Sequence, residues 1–138
     1  MVVIETDMIV ALASESDKHH HHEARTLLRK LSNIKLSPYS LIELDLLLAS
    51  GNIVVKAKPF YEALKSVLAY YNISVLKPDP LHFAVAWNFR KKYGLTFFDG
   101  LHAAVAVREN DMLVSFDRKY SIVKELKYVH PLSLLESA

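Results

Sequence analysis

Residues 97–120 read FFDGLHAAVAVRENDMLVSFDRKY, and this stretch determines the class of fold. A helical apolar pattern begins near Asp99 and runs through LHAAVAVRE, and the polar residues END then form a turn. The apolar run MLVSF has the length and composition of a buried strand, and Asp117 follows it directly. A helix that leads through a short turn into a buried strand is typical of α/β proteins.

The N-terminal half of the chain repeats this alternation. The β-branched run VVIE predicts a buried strand, and MIVALA predicts a helix after it. A second helix follows, with Ser16 or Asp17 as its N-cap. IKLS predicts the next strand, and a helix from about Ser40 to Ser50 is stopped by Gly51.

The pattern continues in the C-terminal half. A helix from about Val55 to Tyr71 precedes the strand ISVL, and PDPLHFAVAWNFRKKYG predicts a helix closed by Gly94. After MLVSF, a short helix from Arg118 and the strand YVHPL complete the chain. Strands that alternate with helices form a parallel sheet covered on both faces. We therefore predict a single α/β domain over residues 1–138, a three-layer α/β/α sandwich with a central, mainly parallel sheet.

Composition narrows the class of protein. The 138 residues include 51% hydrophobic and 23% charged side chains, which indicates a folded chain, and the net charge of +2 is too small to indicate nucleic-acid binding by itself. No apolar run approaches the roughly 20 residues that span a bilayer, and MVVIETD lacks the features of a signal peptide. The absence of cysteine excludes disulfides and thiolate sites. We expect a cytoplasmic protein without a membrane segment.

Four acidic residues fall where a predicted strand meets a helix or where a helix begins. They are Asp7, Glu43, Asp99 and Asp117. In an open parallel sheet the carboxyl ends of the strands share one edge, and ligands bind there. Two carboxylates about 4 Å apart repel by roughly 4 kcal/mol at an effective dielectric constant of about 20, so such a cluster needs a cation. Oxygen ligands without cysteine favour Mg²⁺ or Mn²⁺, the ions of metal nucleases.

Each of these acids also has a purely structural interpretation. Asp is a favoured N-cap, and residues 40–43 and 96–99 have the spacing of a capping box. Other acids fall where they cannot join the cluster. Asp111 precedes its strand at the opposite edge of the sheet, and Asp45 lies roughly opposite Glu43 around their helix. This separation favours a common site for the four acids.

The segments FFDGLHAAVAVRE and MLVSFDRKY place an acid before an alanine-rich helix, and then a hydroxyl residue two positions before a further acid. In these features the sequence resembles the PIN-domain family, in particular the small single-domain ribonucleases of the VapC toxin type, over essentially the whole chain. Asp99, Ser115 and Asp117 match the family's arrangement. Glu43, in SLIELDLLL, matches its glutamate on the helix after the second strand.

The N-terminal motif departs from that pattern. Members usually have Asp, a small or hydroxyl residue, and then Ser, Thr or Asn directly after the first strand, whereas this chain has Glu5, Thr6 and Asp7. A strict alignment puts Glu5 in the place of the catalytic aspartate and Asp7 in that of its helper. The two acids are two positions apart and face the same way if the strand persists, so either can bind metal.

The resemblance implies an endoribonuclease that depends on Mg²⁺ or Mn²⁺, acts on single-stranded RNA, forms a homodimer and is inhibited by a small antitoxin protein. Ser115 and Thr6 would supply supporting hydrogen bonds, and a basic rim would orient the phosphate chain. The candidates for basic residues around the site are Arg25, Arg29, Lys30, Arg90, Lys91, Lys92, Arg108, Arg118 and Lys119. The implied catalytic and metal-binding residues are Glu5 or Asp7, Glu43, Asp99 and Asp117. The departure at Glu5 leaves one alternative, a PIN fold that binds RNA or protein without catalysis.

Overall fold

The computed structural model describes residues 1–13 and 18–137. Its strands are β1 Val2–Ile4, β2 Ile34–Leu36, β3 Ser74–Val75, β4 Met112–Val114 and β5 Tyr128–Val129. Its α-helices are α1 Thr6–Ala13, α2 Lys18–Lys30, α3 Tyr39–Ala49, α4 Ala57–Tyr70, α5 Pro80–Tyr93, α6 Phe97–Glu109 and α7 Pro131–Ser137. A 3₁₀ helix, Arg118–Ile122, follows β4. Helices and strands therefore alternate much as the sequence predicted.

The strands form one sheet in the order β3-β2-β1-β4-β5, and every pairing is parallel. The central strand is β1, whose Ile4 lies opposite Leu36 of β2 and Val114 of β4. The chain reaches β2 on one side of β1 and β4 on the other. Such a reversal of strand order opens a crevice at the carboxyl ends of the strands, which is where α/β proteins bind ligands.

Successive residues of β1 supply both faces of the sheet. Val2 and Ile4 pack into one core cluster with residues of α1, α2 and α4, whereas Val3 packs into the other with residues of α5 and α6. Successive side chains of a β-strand point to opposite faces of the sheet, which explains this alternation. The predicted three-layer α/β/α sandwich with a parallel central sheet is thus confirmed.

Helix α6 is buried throughout its middle, from Gly100 to Ala106, because it lies between the sheet and α5. A Cβ atom at Gly100 would lie 3.1 Å from Cγ of Arg90 and 3.3 Å from the carbonyl oxygen of Ala86. The missing side chain therefore permits the close approach of α5. The small alanines that follow it serve the same packing, which explains the composition of this helix.

The two segments with capping-box spacing differ in the structure. The side chain of Thr96 caps α6 and accepts a hydrogen bond from the Asp99 backbone N–H at 3.4 Å, so Asp99 lies in the first turn rather than at the first position. The structural alternative for residues 40–43 does not hold, because helix α3 has no side-chain cap. The buried hydroxyl of Ser40 has no hydrogen-bond partner among the described residues.

The C-terminal segment also differs from the prediction. The last strand ends at Val129 rather than extending through YVHPL, and Pro131 begins α7. Proline suits the first position of a helix because the missing N–H has no partner there. Leu134 and Leu135 of α7 pack on the core cluster that contains α2. The predicted cap at Ser16 or Asp17 lies outside the described residues, and no helix within those residues combines the length and apolarity needed to cross a membrane.

Candidate metal centre

The parallel sheet brings the predicted site residues to one edge. Glu5, Ser37 and Ser115 directly follow the aligned carboxyl ends of β1, β2 and β4. The helices that cover this edge contribute the remaining acids, Asp7, Glu43, Asp99 and Asp117. The residues predicted from strand and helix junctions are therefore neighbours in the folded chain.

An inner cluster is formed by Glu5, Glu43 and His102. One potential ligand atom of each lies within 4.8 Å of the others, and no second group of three such residues meets this condition among residues 1–13 and 18–137. Glu5 and His102 are buried, whereas Glu43 is partly exposed. The cluster thus combines two carboxylates and one imidazole at the bottom of the crevice.

Hydrogen bonds fix the orientation of Glu43. Its Oε1 atom accepts from the hydroxyl of Thr6 and from Nε2 of His102, the latter at 2.8 Å. The other ring nitrogen of His102, Nδ1, lies 2.7 Å from Oγ of Ser37. A carboxylate oxygen accepts hydrogen bonds, so Nε2 is the donor in its contact with Glu43. The predicted supporting role of Thr6 corresponds to this contact.

Glu5 is buried and surrounded by donors. Its Oε1 accepts from the Asp7 backbone N–H at 2.8 Å, and its Oε2 lies 3.1 Å from the hydroxyls of both Ser115 and Tyr120. Burial raises the pKa of Glu5, an effect that the nearby His102 opposes. A divalent cation beside Glu5 would favour its ionised form, because the cation offsets the loss of hydration.

Asp7 is directed toward the end of β4. Its Oδ2 accepts from the Phe116 backbone N–H at 2.9 Å and lies 2.7 Å from Oγ of Ser115, while its buried Oδ1 has no hydrogen-bond partner in residues 1–13 and 18–137. Burial, together with the charge of Glu5, raises the pKa of Asp7 well above its usual range. A neutral carboxyl fits this position, since a buried unpaired oxygen is less unfavourable when it carries no charge.

Asp99 and Asp117 form a second group, called here the outer pair, with side chains that are 15% and 35% exposed. The Nζ atom of Lys119 lies 3.2 Å from Oδ2 of Asp99 and 3.3 Å from Oδ2 of Asp117. The buried hydroxyl of Tyr120 lies 3.1 Å from both Oδ1 of Asp99 and Oε2 of Glu5. Burial and these neighbouring carboxylates raise the pKa of Tyr120, so its hydroxyl keeps its proton and links the outer pair to the inner cluster.

The sequence profile of the PIN domain matches residues 2–126. The chain belongs to the PIN domain family. No curated protein sequence matches this PIN-domain chain significantly. Family membership therefore rests on the domain profile, and the shared fold is seen in solved structures of low sequence identity.

Three solved structures illustrate that shared PIN fold. The VapBC2 complex of Rickettsia felis bound to a promoter DNA fragment has 18% identity and a TM-score of 0.72, covering 94% of this chain and 98% of that one. A toxin-antitoxin complex from Klebsiella pneumoniae has 14% identity and a TM-score of 0.69, and the match covers 95% of this chain and 98% of that one. VapC20 of Mycobacterium tuberculosis, a sarcin-ricin loop cleaving toxin, has 18% identity and a TM-score of 0.68, covering 92% and 99%.

The donor set at the PIN crevice fits a hard divalent cation. Carboxylate oxygens predominate, one imidazole is present, and the chain has no cysteine that would favour zinc. Five carboxyl groups belong to this site, and among the described residues the ammonium group of Lys119 contacts two of them, Asp99 and Asp117. Because buried carboxylates repel one another strongly, an additional cation would relieve the site.

Two residues that shape this PIN site were absent from the sequence-based interpretation. His102 follows Asp99 by three positions and so lies on the same side of α6, which is a signal that could have identified it. Tyr120 follows Asp117 by three positions and packs in the core cluster that includes α6. An aromatic residue at that spacing is typical of core packing, so no local pattern indicates a polar role for Tyr120.

Proposed function

We propose that this PIN-domain protein is a divalent-metal-dependent endoribonuclease of the VapC type that cleaves single-stranded RNA in the cytoplasm. The observation that carries the proposal is the inner cluster, in which ligand atoms of Glu5, Glu43 and His102 lie within 4.8 Å of one another. It lies at the carboxyl ends of the central strands, where α/β proteins bind their ligands.

The residues of the site would have different roles, as metal ligands or as positioning residues. Glu5 and Glu43 would hold Mg²⁺ or Mn²⁺, and Asp99 and Asp117 would complete the set of ligands. A bound ion of this kind activates water and offsets the charge of a phosphodiester under attack. We assign Asp7 a positioning role, because its Oδ2 holds Ser115 and the Phe116 backbone in place.

The proposal of an RNA substrate rests on the VapC resemblance and on the charge beside the site. Arg118 and Lys119 are exposed and directly follow Asp117. Cations at this rim would attract a phosphate chain and hold it near the inner cluster. Single-stranded RNA offers the flexible backbone that can enter a crevice of this kind.

An antitoxin partner is part of the same proposal, because the similar structure from Klebsiella pneumoniae is a toxin-antitoxin complex. A homodimer is also part of it, because the VapC resemblance implies one. Exposed apolar side chains support a protein interface: Ile42 and Leu46 of α3 are each 54% exposed.

We expect sedimentation of the wild type to give a dimer, and sedimentation of the double variant Ile42→Glu/Leu46→Glu to give a monomer. Val54→Glu, in an exposed loop, is the matched control. A monomeric wild type would contradict the dimer.

Cleavage of a labelled single-stranded RNA tests the activity. Purified protein should cleave it with Mn²⁺ or Mg²⁺ and stop when a chelator is added. Asp99→Asn and Glu43→Gln should each lower the rate by at least about tenfold, as loss of metal-site groups commonly does. Asp45→Asn is the matched control, because Asp45 lies on the same helix as Glu43 but contacts Tyr61. Equal rates in Asp99→Asn and the wild type would overturn the assigned site.

A second candidate is a noncatalytic PIN module that binds RNA or protein. Two observations favour it: the longer Glu5 side chain in the place of the family's first aspartate, and the engagement of both outer acids by Lys119. The same assay separates the two candidates. Binding of the labelled RNA without cleavage under either metal would support the module and exclude the nuclease.

A further inference from the structure

Lys119 places a cation where the outer pair would otherwise meet a metal ion. Its ammonium group contacts Oδ2 of Asp99 at 3.2 Å and Oδ2 of Asp117 at 3.3 Å. Its backbone N–H donates to Oδ1 of Asp117 at 3.0 Å, and the Tyr120 hydroxyl donates to Oδ1 of Asp99 at 3.1 Å. All four carboxylate oxygens of the outer pair therefore already have partners.

The inner cluster differs in this respect. Glu5 and Glu43 accept hydrogen bonds from hydroxyl, backbone and imidazole donors, and neither forms an ion pair with a lysine or arginine within residues 1–13 and 18–137. A cation approaching the crevice thus meets two kinds of carboxylate. Those of the inner cluster have no lysine or arginine partner among the described residues, whereas the two of the outer pair share the single ammonium group of Lys119.

We propose that Lys119 is a built-in competitor for the metal ion, which gains Asp99 and Asp117 as ligands only by displacing the ammonium group from between them. This inference rests on the proposed function, because it concerns the ion that the nuclease would use. It assigns to Lys119 a regulatory role in how tightly the ion is held, in addition to its place on the basic rim.

The environment of Lys119 makes this displacement feasible. Its side chain is 51% exposed, so the ammonium group can leave the two carboxylates and become fully hydrated without breaking into a buried region. Ion pairs at such exposed positions are individually weak, whereas a divalent ion at the same carboxylates carries twice the charge. The flexible stem then leaves the displaced ammonium group at the rim, where a phosphate chain would approach.

Direct titration with Mn²⁺ tests the inference without reference to activity. The electron paramagnetic resonance signal of free Mn²⁺ gives the dissociation constant for wild type and for Lys119→Gln. We expect Lys119→Gln to bind Mn²⁺ about three- to tenfold more tightly, since two weak ion pairs no longer oppose the ion. Lys119→Arg keeps the charge and should bind no more tightly than the wild type.

Lys35 provides a matched control elsewhere on the same sheet. Its Nζ atom also bridges two carboxylates, Glu109 at 3.2 Å and Asp111 at 3.1 Å, but at the opposite edge of the sheet. Lys35→Gln removes the same unit charge, so it reproduces any general effect of net charge on cation binding. We expect its Mn²⁺ affinity to stay within about twofold of the wild type, as long-range interactions between exposed charges are screened.

The outcomes distinguish the inference from the proposed function. Tighter binding by Lys119→Gln alone would support competition. Equal affinities in Lys119→Gln, Lys35→Gln and wild type would overturn the role of Lys119 and leave the metal site intact. A failure of all these proteins to bind Mn²⁺, with folding verified by circular dichroism, would overturn both the competitor and the proposed metal site.

Discussion

Replacing Asp7 with Asn separates two roles for this buried carboxyl, that of a metal ligand and that of a neutral support between α1 and the end of β4. The Oδ2 atom accepts from the Phe116 backbone N–H at 2.9 Å and lies 2.7 Å from Oγ of Ser115. The amide oxygen of Asn can keep both contacts. The side chain of Ala keeps neither, so Asp7→Ala is the matched variant that removes the support.

The magnitude follows from these two hydrogen bonds. Each contributes about 0.5–1.5 kcal/mol, so Asp7→Ala should lower the free energy of unfolding by about 1–3 kcal/mol relative to Asp7→Asn. For a chain of this length the difference corresponds to about 3–4 °C in Tm per kcal/mol. We expect Asp7→Asn to be at least as stable as the wild type at about pH 8, because Asn remains neutral in the folded and the unfolded chain, whereas Asp7 must be held neutral in the folded state against ionisation in the unfolded one.

The contribution of the Asp7 carboxyl to the free energy of unfolding should decrease as the pH rises. Burial and the charge of Glu5 raise the pKa of Asp7 in the folded protein, so the folded state holds this proton more tightly than the unfolded chain. The stabilisation is complete below the unfolded pKa of about 3.9 and is lost as the pH rises through the folded pKa. Asp7→Asn stays neutral throughout. Its stability relative to the wild type should therefore increase from about pH 5 to about pH 8.

Urea unfolding in the presence of a chelator, followed by circular dichroism at both pH values, measures these differences. Mn²⁺ titration of the same variants supplies the second readout. Asp7→Asn should bind Mn²⁺ within about twofold of the wild type, whereas Glu5→Gln should weaken binding by at least about tenfold. If Asp7→Asn were as unstable as Asp7→Ala at pH 8, or if it abolished Mn²⁺ binding, the assignment of Asp7 as a neutral support would be refuted.

Three further predictions concern the surroundings of the site. Tyr120→Phe removes a buried hydroxyl that contacts two carboxylates, so it should lower the free energy of unfolding by about 1.5–3 kcal/mol in urea titrations. The control Tyr93→Phe breaks an exposed contact and should change the free energy of unfolding by less than about 0.5 kcal/mol. Ser37→Ala leaves Nδ1 of the buried His102 without its partner and should weaken Mn²⁺ binding by about 10–100-fold, and unchanged affinity would contradict this role. Saturating Mn²⁺ should raise the Tm of the wild type in calorimetry, and the increase should be larger at about pH 8 than at about pH 5, because protons compete with Mn²⁺ for the carboxylates. An increase in Tm that does not depend on pH would argue against carboxylates as the ligands.

The sheet and the position of the acids follow largely from local sequence. The β-branched run of β1 and the apolar run of β4 identify buried strands, and parallel pairing then brings the residues after them to one edge. Glu5, Ser115 and Asp117 could be placed on this basis. The family resemblance added Glu43, whose position on α3 depends on how that helix crosses the sheet.

Other features depend on tertiary contacts that local patterns do not encode. His102 lies within an alanine-rich buried helix, where a histidine is indistinguishable from a satisfied core residue until Ser37 and Glu43 are seen beside it. Glu43 had the spacing of a capping box, yet its carboxylate meets Thr6 and His102 instead of the helix terminus. The ambiguity between Glu5 and Asp7 had the same origin, because the strand ends at Ile4 and the two side chains have different neighbours.

Anomalous scattering from a crystal of the protein soaked in Mn²⁺ would locate the metal ion. We expect an anomalous peak in the crevice within coordination distance of carboxylate oxygens of both Glu5 and Glu43. A protein that binds Mn²⁺ only at other positions, with this crevice free of anomalous density at saturating metal, would contradict the proposed centre.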